Sequence, residues 1–442
     1  MAINAALVSL GCAKNLVDAE RILYKMYSNG INILNDVAGA DIVIVNTCAF
    51  IDAAKQEGID TILEYAALKK EGRIKGIVVT GCMAQRYADE IKKELPEVDC
   101  IISPGNNDAV CEAVKAAAAG RKLYQTNEPE QLVLTGDRIR STPDGWAYLK
   151  IADGCDNRCS YCTIPFIRGR FRSVPMPDLI AEAKELVDGG VSELILIAQD
   201  TTRYGEDLYG RQALPELVSA LSGIEALKKI RIMYLYPDRI SDDIIDCFAN
   251  NPKVVKYIDL PLQHADGDVL KAMNRRGDDK SLLALIQNLR ERIPGVTLRT
   301  TVMVGFPGEN KIAFETLLNF VKAARFDRLG CFIFSPQEGT PAAELPGACA
   351  ERTAKNRMKL IMMTQNEIME QKNNEKIGQT VEVLVEGYDR WAERWFGRSD
   401  ADAPEVDGKI FFIAKNLHPG DRVNVKLTEA IGLDLIGEKF EE

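Results

Sequence analysis

Three cysteines within eight residues form a compact group of side chains with a capacity for chemistry. Cys155, Cys159 and Cys162 follow the strand-like run AYLKIADG and have C-x3-C-x2-C spacing. Thiolates are soft ligands that suit iron–sulfur clusters and zinc, and three of them leave one iron of a four-iron cluster open. Zinc sites usually add a second cysteine pair or histidines, but the chain has only His264 and His418. The spacing therefore favours an iron–sulfur site over a zinc site.

Three further cysteines are far apart in the sequence but share one context. Cys12, Cys48 and Cys82 each end an apolar run, in AALVSLGC, DIVIVNTC and GIVVTGC. In an open parallel sheet the carboxyl ends of the strands converge on one edge, so these thiols could meet. Cysteine is also commonly buried for packing alone, so three unrelated thiols remain an alternative on this pattern. The remaining cysteines match no ligand motif and are interpreted as structural: Cys100, Cys111, Cys247, Cys331 and Cys349.

Strand and helix patterns alternate over the first part of the chain and predict a parallel α/β domain. Its strand-like runs are 5–11, 41–47, 76–81 and 100–105. Apolar strands alternating with amphipathic helices are typical of a parallel sheet covered on both faces. The polar, irregular residues 120–145 are expected to be a linker.

The alternation resumes with longer units. Six strand candidates, each followed by a helical stretch, predict a partial (β/α)6 barrel of the TIM type, although an open doubly wound sheet has the same pattern. The candidates are 147–154, 193–200, 229–237, 257–263, 297–308 and 328–336. Chemistry in such barrels lies at the carboxyl ends of strands, where the loop with Cys155 begins. After a charged helical segment (351–376), short β-type runs separated by turns predict a small antiparallel β-barrel.

Composition narrows the classes of function. The chain has 442 residues, 46% of them hydrophobic, a net charge of −10 and eleven cysteines. A negative balance argues against non-specific nucleic-acid binding, which requires a basic face. We expect a cytoplasmic protein, because no apolar run is long enough to span a membrane and the first residues lack a signal-peptide pattern. In that compartment metal binding explains clustered cysteines better than disulfides do.

The central cysteine motif and the barrel pattern resemble the radical S-adenosylmethionine superfamily over residues 141–373. The resemblance implies that the open iron chelates S-adenosylmethionine, which the reduced cluster cleaves to a 5′-deoxyadenosyl radical. It places Tyr161 on the adenine side and VGFPGE (304–309) against the cofactor. An ordinary strand-to-helix turn is the alternative for VGFPGE. No catalytic side chain is assigned beyond the clusters.

The segments SLGCAKNLVDAE, VNTCAFIDAA and GCMAQRY resemble the N-terminal domain of the methylthiotransferases. That family implies a second 4Fe-4S cluster on Cys12, Cys48 and Cys82, and S-adenosylmethionine as both methyl donor and radical source. The C-terminal part resembles the TRAM domain. The domains implied are a cluster-binding domain (1–125), a radical core (141–373) and a TRAM domain (375–442).

SLGCAKNLVDAE, IPFIRGRFRS and YIDLPLQHADGDVLKAMNRR resemble the branch that modifies the β-carbon of an aspartate in ribosomal protein S-twelve. The other branch modifies an adenosine of tRNA. Val174 departs from the pattern, which more often has arginine there. Residues 376–442 contain fourteen acidic and nine basic side chains, which suits a basic protein partner, or is simply a solvated surface.

The resemblance further implies a low-potential electron donor such as flavodoxin or ferredoxin, and a sulfur donor. Arg168, Arg170 and Arg172 could hold a carboxylate of methionine or of the substrate aspartate. The alternatives are a solvated basic loop or ion pairs with the N-terminal domain. A different class of protein also stays open: a non-catalytic iron–sulfur or zinc scaffold with a nucleic-acid-binding tail.

Overall fold

A six-stranded parallel sheet forms the first part of the computed structural model, which describes residues 3–440. The strand order is β2-β1-β3-β4-β5-β6. The strands are β1 (Asn4–Ser9), β2 (Asn32–Leu34), β3 (Ile42–Thr47), β4 (Gly76–Gly81), β5 (Cys100–Ile102) and β6 (Leu123–Gln125). Every residue of β3 and β4 is buried, as expected for central strands covered on both faces.

Helices cover both faces of this sheet. They are α1 (Ala13–Ser28), α2 (Asp52–Lys70), α3 (Cys82–Arg86), α4 (Ala88–Glu94) and α5 (Asn107–Ala118). One apolar core joins α1 and α5 to the sheet, for example through Met26 and Val114. A second core joins α2, α3 and α4 through Ile62, Met83 and Ile91. The predicted parallel domain is confirmed, with two additional edge strands, β2 and β6, each three residues long. Strand β6 lies inside the stretch expected to be a linker.

The six predicted strands of the central region form two three-stranded parallel sheets, ordered β11-β10-β7 and β12-β13-β14. The strands, with a short antiparallel pair formed by β8 and β9, are β7 (Trp146–Lys150), β8 (Ala152–Asp153), β9 (Arg172–Ser173), β10 (Glu193–Ile197), β11 (Lys229–Ile232), β12 (Tyr257–Asp259), β13 (Thr297–Val304) and β14 (Arg328–Ile333). With the helices between them, these strands give the expected (β/α)6 arrangement.

The helices of this region lie between its strands and after the last of them. They are α6 (Ile164–Arg168), α7 (Met176–Asp188), α8 (Glu206–Tyr209), α9 (Leu214–Ser222), α10 (Asp242–Asn250), α11 (Gly267–Ala272), α12 (Asp279–Arg292), α13 (Lys311–Ala324) and α14 (Glu351–Asn374). Side-chain caps mark several starts: Asp278 and Ser281 form a capping box on α12, and Asn310 accepts from the amide of Ala313 on α13.

The C-terminal strands close into a five-stranded barrel around a small apolar core. They are β15 (Thr380–Asp389), β16 (Arg394–Arg398), β17 (Ile410–Ile413), β18 (Arg422–Ile431) and β19 (Asp434–Lys439). The predicted barrel is confirmed, and one of its pairings, β17 with β19, is parallel. The predicted fold class is therefore confirmed throughout.

The chain divides into two compact units. The first contains the residues up to Ser141 together with Ala152–Arg158 and Cys162–Val174. The second contains Thr142–Ile151, Cys159–Tyr161 and the residues from Pro175 onward. The division into two units does not test the three domain ranges, 1–125, 141–373 and 375–442, which stay a prediction. Within residues 3–440, no helix combines the length and the apolar character needed to cross a membrane.

Candidate functional site

In the first unit, Cys12, Cys48 and Cys82 lie at the carboxyl ends of three neighbouring strands. Cys12 precedes α1 and follows β1, Cys48 directly follows β3, and Cys82 begins α3 after β4. Because β1, β3 and β4 are adjacent and parallel, their ends lie at one edge of the sheet. Cys12 is exposed, Cys48 is half-buried and Cys82 is buried, so the group extends from the interior to the surface.

Two glycines allow these strand ends to approach each other. Gly11 has φ +111°, and a Cβ on it would lie 3.1 Å from the Cβ of Cys48. Gly81 has φ +89°, and a Cβ there would lie 2.4 Å from the carbonyl oxygen of Thr47. A side chain at either position would push the following cysteine away from Cys48. The residues before the cysteines therefore form a close-packed cradle that only glycine permits.

A buried arginine contacts this group. The Nη2 of Arg168 donates to the Sγ of Cys82 at 3.6 Å and to the Oδ1 of Asn15 at 2.9 Å. Its Nη1 contacts Oδ2 of Asp18 at 2.5 Å and Oδ2 of Asp153 at 3.1 Å. The three arginines considered in the sequence therefore have different environments. Arg168 forms buried ion pairs, Arg170 is exposed, and Arg172 donates to backbone carbonyls of the same unit.

Burial raises the pKa of two of these thiols, Cys82 and Cys48. It raises the pKa of the Cys82 thiol to about 12, although the charge of Arg168 acts in the opposite direction. Burial also raises the pKa of Cys48. A thiol of this kind stays protonated at neutral pH unless a metal replaces the proton, because only the thiolate is a metal ligand.

The loop with Cys155, Cys159 and Cys162 begins two residues after Asp153, the last residue of β8. In the first unit the amide of Cys155 donates to the carbonyl of Gly169 at 3.2 Å. Gly154 has φ +78°, and a Cβ there would lie 2.1 Å from the carbonyl oxygen of Arg170. The entry to the loop is therefore held against the backbone of Gly169 and Arg170, which follow α6. All three thiols are half-buried.

In the second unit, Cys159 contacts two side chains that the sequence pattern did not single out. The Nη1 of Arg275 lies 3.7 Å from its Sγ, and the hydroxyl of Tyr236 lies 3.9 Å from the same atom. The guanidinium of Arg275 stacks over the Tyr236 ring at 4.3 Å and donates to the carbonyl of Pro261 at 2.6 Å. The two residues lie in the segments YLYPDRI and MNRR, but nothing in the local pattern indicates a cysteine partner.

Tyr161 and the VGFPGE segment meet at one apolar cluster of the second unit. Tyr161 packs against a group that includes Met273 and the buried Phe306 of VGFPGE. Glu309, the last residue of that segment, accepts from the amide of Gly305 and pairs with Arg357 at 3.2 Å. The segment is therefore a strand-to-helix turn fixed by its own carboxylate, beside the tyrosine expected on the adenine side.

The remaining cysteines lie elsewhere. Cys100 and Cys111 are buried in the apolar core of the first unit, where their thiols contact backbone carbonyls. Their structural interpretation, and that of the others, stays a prediction.

The acidic C-terminal module holds much of its charge in internal pairs. We define residues 399–408, between β16 and β17, as the acidic loop. Asp402 pairs with Arg328 at 2.6 Å, and Asp407 accepts from the hydroxyl of Tyr257 at 2.5 Å. Arg328 is the first residue of β14 and Tyr257 is the first residue of β12. The acidic loop therefore contacts the amino ends of two strands of the (β/α)6 region. The charge balance of this module therefore overstates the negative charge that is free to attract a basic partner.

The two donor sets suit the group that they are expected to hold. All eleven cysteines are free thiols, so each triplet can supply three thiolates. Among the described residues, no three His, Cys, Asp or Glu side chains converge closely enough to hold one metal ion. A four-iron cluster is ligated at separate iron atoms, so its cysteines stand farther apart than the ligands of one ion. The cradle at Gly11 and Gly81, and the absence of histidine from both triplets, fit such a cluster.

Three family models match the chain. Residues 4–103 match the uncharacterized protein family UPF0004, residues 149–321 match the radical SAM superfamily, and residues 377–439 match the TRAM domain.

Three relatives that align over nearly the whole chain carry the description ribosomal protein uS12 methylthiotransferase RimO. The protein of Desulforamulus reducens is 47% identical, and the alignment covers 98% of this chain and 99% of that protein. The protein of Geobacter sulfurreducens is 46% identical, with 98% of each chain covered. The protein of Clostridioides difficile is 43% identical, with coverage of 100% and 99%.

Solved structures share the fold at low sequence identity. The radical S-adenosylmethionine methyltransferase TsrM from Kitasatospora setae, with cobalamin and a 4Fe-4S cluster bound, has a TM-score of 0.57 and 14% identity, covering 78% of this chain and 77% of that chain. The cobalamin-dependent S-adenosylmethionine radical enzyme OxsB has a TM-score of 0.52 and 11% identity, covering 84% and 56%.

Proposed function

The chain belongs to the ribosomal protein uS12 methylthiotransferases, a family of radical S-adenosylmethionine enzymes, and we propose that its two cysteine triplets each ligate one 4Fe-4S cluster. It is a transferase that modifies ribosomal protein uS12. The radical cluster is assigned to Cys155, Cys159 and Cys162. The second cluster is assigned to the three cysteines at the sheet edge: Cys12, Cys48 and Cys82.

The observation that carries the second assignment is the close packing at the ends of β1, β3 and β4. Positive φ at Gly11 and Gly81 costs nothing for glycine and would be strained for other residues. Both glycines directly precede a cysteine, and their Cα atoms face Cys48 and Thr47. Close packing of strand ends around glycines is expected where three thiolates must be held at fixed separations.

A cluster held by Cys155, Cys159 and Cys162 would supply the electron that cleaves S-adenosylmethionine, and a cluster held by Cys12, Cys48 and Cys82 would hold the sulfur that is methylated and transferred. The protein positions the ligands and limits access. At the radical site the clamp between Cys155 and Gly169 fixes the loop entry, and Arg275 holds the sulfur of Cys159. Tyr161, between Cys159 and Cys162, packs against the apolar group that contains Phe306.

We propose that the modified atom is the β-carbon of an aspartate in uS12. The C–H bond at this saturated carbon is too weakly acidic for a side-chain base to deprotonate usefully, so the radical cofactor carries that step. We also propose that Tyr161 lies on the adenine side of the cofactor. The proposed domains are the cluster-binding domain (1–125), the radical core (141–373) and the TRAM domain (375–442). The proposal also includes action in the cytoplasm, with a low-potential donor such as flavodoxin or ferredoxin and a separate source of sulfur.

Iron counting tests the ligand assignment. After anaerobic reconstitution the protein should hold about eight irons per chain, four in each cluster. The triple variants Cys155→Ala/Cys159→Ala/Cys162→Ala and Cys12→Ala/Cys48→Ala/Cys82→Ala should each retain about four. Only the second variant should cleave S-adenosylmethionine. Cleavage by the first variant, or full iron loading in either, would contradict the assignment.

A further inference from the structure

Arg168 is fully buried in the first unit, and its guanidinium connects parts of the chain that are distant in sequence. Nη1 contacts the carboxylates of Asp18 on α1 and of Asp153 on β8. Nη2 donates to the amide oxygen of Asn15 and to the Sγ of Cys82. Burying a guanidinium is costly unless it is paired, and two carboxylates and an amide provide that pairing here. The fourth partner, a thiol, is not needed for the pairing of charge and therefore indicates another role.

The backbone next to Arg168 is fixed against the radical loop. Gly169 accepts from the amide of Cys155 at 3.2 Å. Asp153, which pairs with Arg168, lies two residues before Cys155 and accepts from the amide of Gly154 at 2.9 Å. In the pair of Arg168 and Asp153, the aspartate therefore holds the entry of the radical loop, and the arginine contacts Cys82 at the sheet edge.

We propose that Arg168 is a positioning residue for the sheet-edge cluster, which it also makes easier to reduce by donating a hydrogen bond to the Cys82 thiolate. This inference rests on the proposed ligation of a cluster by Cys82. Reduction adds a negative charge to a cluster, and hydrogen bonds to its sulfurs together with a nearby positive charge stabilise that charge. The ion pairs with Asp18 and Asp153 fix the guanidinium in the orientation that donation requires.

The test measures the midpoint potential of the sheet-edge cluster alone. The full-length Cys155→Ala/Cys159→Ala/Cys162→Ala variant is reconstituted without oxygen and titrated, with the reduced cluster followed by electron paramagnetic resonance. Arg168→Gln, Arg168→Lys and Asp18→Asn are then introduced into that variant one at a time. Arg138→Gln is the matched control, because Arg138 forms a buried pair of the same kind with Glu20, two residues after Asp18 on α1, at 2.8 Å.

Arg168→Gln should lower the midpoint potential, with a tenfold loss in the equilibrium constant for reduction, equal to about 59 mV for a one-electron couple. Asp18→Asn should raise it, since the positive charge of Arg168 is then less compensated. Arg168→Lys keeps the charge but loses the planar fork of donors, so its potential should lie between that of the Arg168→Gln variant and that of the parent. The control should leave the potential unchanged.

The opposite signs separate an electrostatic role from a merely structural one, because a general disturbance of the site would not shift the two variants in opposite directions. Shifts of the same sign, or no shift with full iron content, would overturn the proposal. If Arg168→Gln does not fold, Asp18→Asn decides alone: a raised potential supports the proposal and an unchanged one rejects it. A parent variant that binds no iron instead contradicts the ligation by Cys82, and the inference fails with it.

Discussion

The carboxylate of Glu193 lies 2.9 Å from Nη1 of Arg398, and both side chains are buried where the C-terminal barrel meets the first residue of β10. Arg231 contacts the same carboxylate oxygen at 3.0 Å. Burial alone raises the pKa of Glu193, but the charges of Arg398 and Arg231 outweigh it and lower the pKa to about 2.

This pKa predicts how stability changes with pH. The value of Glu193 in the folded chain lies below its ordinary value of 4.5, so its stabilising contribution is complete above about pH 4.5 and is lost as the pH falls toward 2. The difference corresponds to about 3 kcal/mol. Glu193→Gln should therefore flatten the fall in stability over this range. Unfolding followed by tryptophan fluorescence measures it, since one of the three tryptophans, Trp146, has its ring 5.5 Å from the Arg398 guanidinium. Identical acid profiles for the two proteins would contradict the prediction.

The acidic loop offers a matched pair of substitutions. Asp402→Asn breaks a buried pair with Arg328 and should cost about 3–5 kcal/mol of unfolding free energy, because a buried charge loses its partner. Asp400→Asn breaks the more exposed pair with Lys229 and should cost no more than about 1 kcal/mol. Denaturant unfolding of both variants at neutral pH checks the difference. Equal losses would show that burial of this pair does not govern its strength.

Gly81→Ala tests the cradle at the sheet edge. A Cβ there meets the carbonyl of Thr47 at 2.4 Å, so Cys82 must move and about half of the iron should be lost. Cleavage of S-adenosylmethionine at the other triplet should persist. Gly120→Ala is the control, since Gly120 also has positive φ (+68°) but nothing lies within 4 Å of the added Cβ. Normal iron content in Gly81→Ala would count against the cradle.

Arg275→Gln tests the support of Cys159. Residues that hydrogen-bond to a metal ligand typically contribute roughly 10–100-fold to activity, so cleavage of S-adenosylmethionine should fall by about that factor. The sheet-edge cluster should keep its iron. Tyr236→Phe removes a longer contact, 3.9 Å, and should have a smaller effect. Single-turnover formation of 5′-deoxyadenosine measures both variants, and an unchanged rate in Arg275→Gln would exclude a role for the contact.

The local sequence pattern was sufficient to predict the strands that precede Cys12, Cys48 and Cys82. The apolar runs before Cys12, Cys48 and Cys82 became β1, β3 and β4, because buried central strands have a continuous hydrophobic signature. The edge strands β2 and β6 have only three residues each, too few to show a periodicity. The parallel pairing of β17 with β19 depends on barrel closure, which no local run encodes.

Long-range partners could not be predicted in the same way. Arg168 and Asp18 are 150 residues apart in the sequence. Ion pairs between Arg168, Arg170 or Arg172 and the N-terminal domain were one alternative, but the sequence indicated neither which arginine is buried nor its partner. The acidic loop illustrates the same limit: Asp402 and Asp407 count toward a net charge, but Arg328 on β14 and Arg299 on β13 form ion pairs with them. Charge counted along a sequence describes a free surface only where the side chains are not already paired.

The most direct test of the account is the intact mass of ribosomal protein uS12 from cells that lack this protein, complemented with the wild-type chain or with either triple-alanine variant. We expect uS12 to be heavier by one methylthio group, in place of one hydrogen on an aspartate, only with the wild-type chain. A uS12 mass that is the same in all strains, together with loss of a methylthio group from tRNA adenosine, would contradict it.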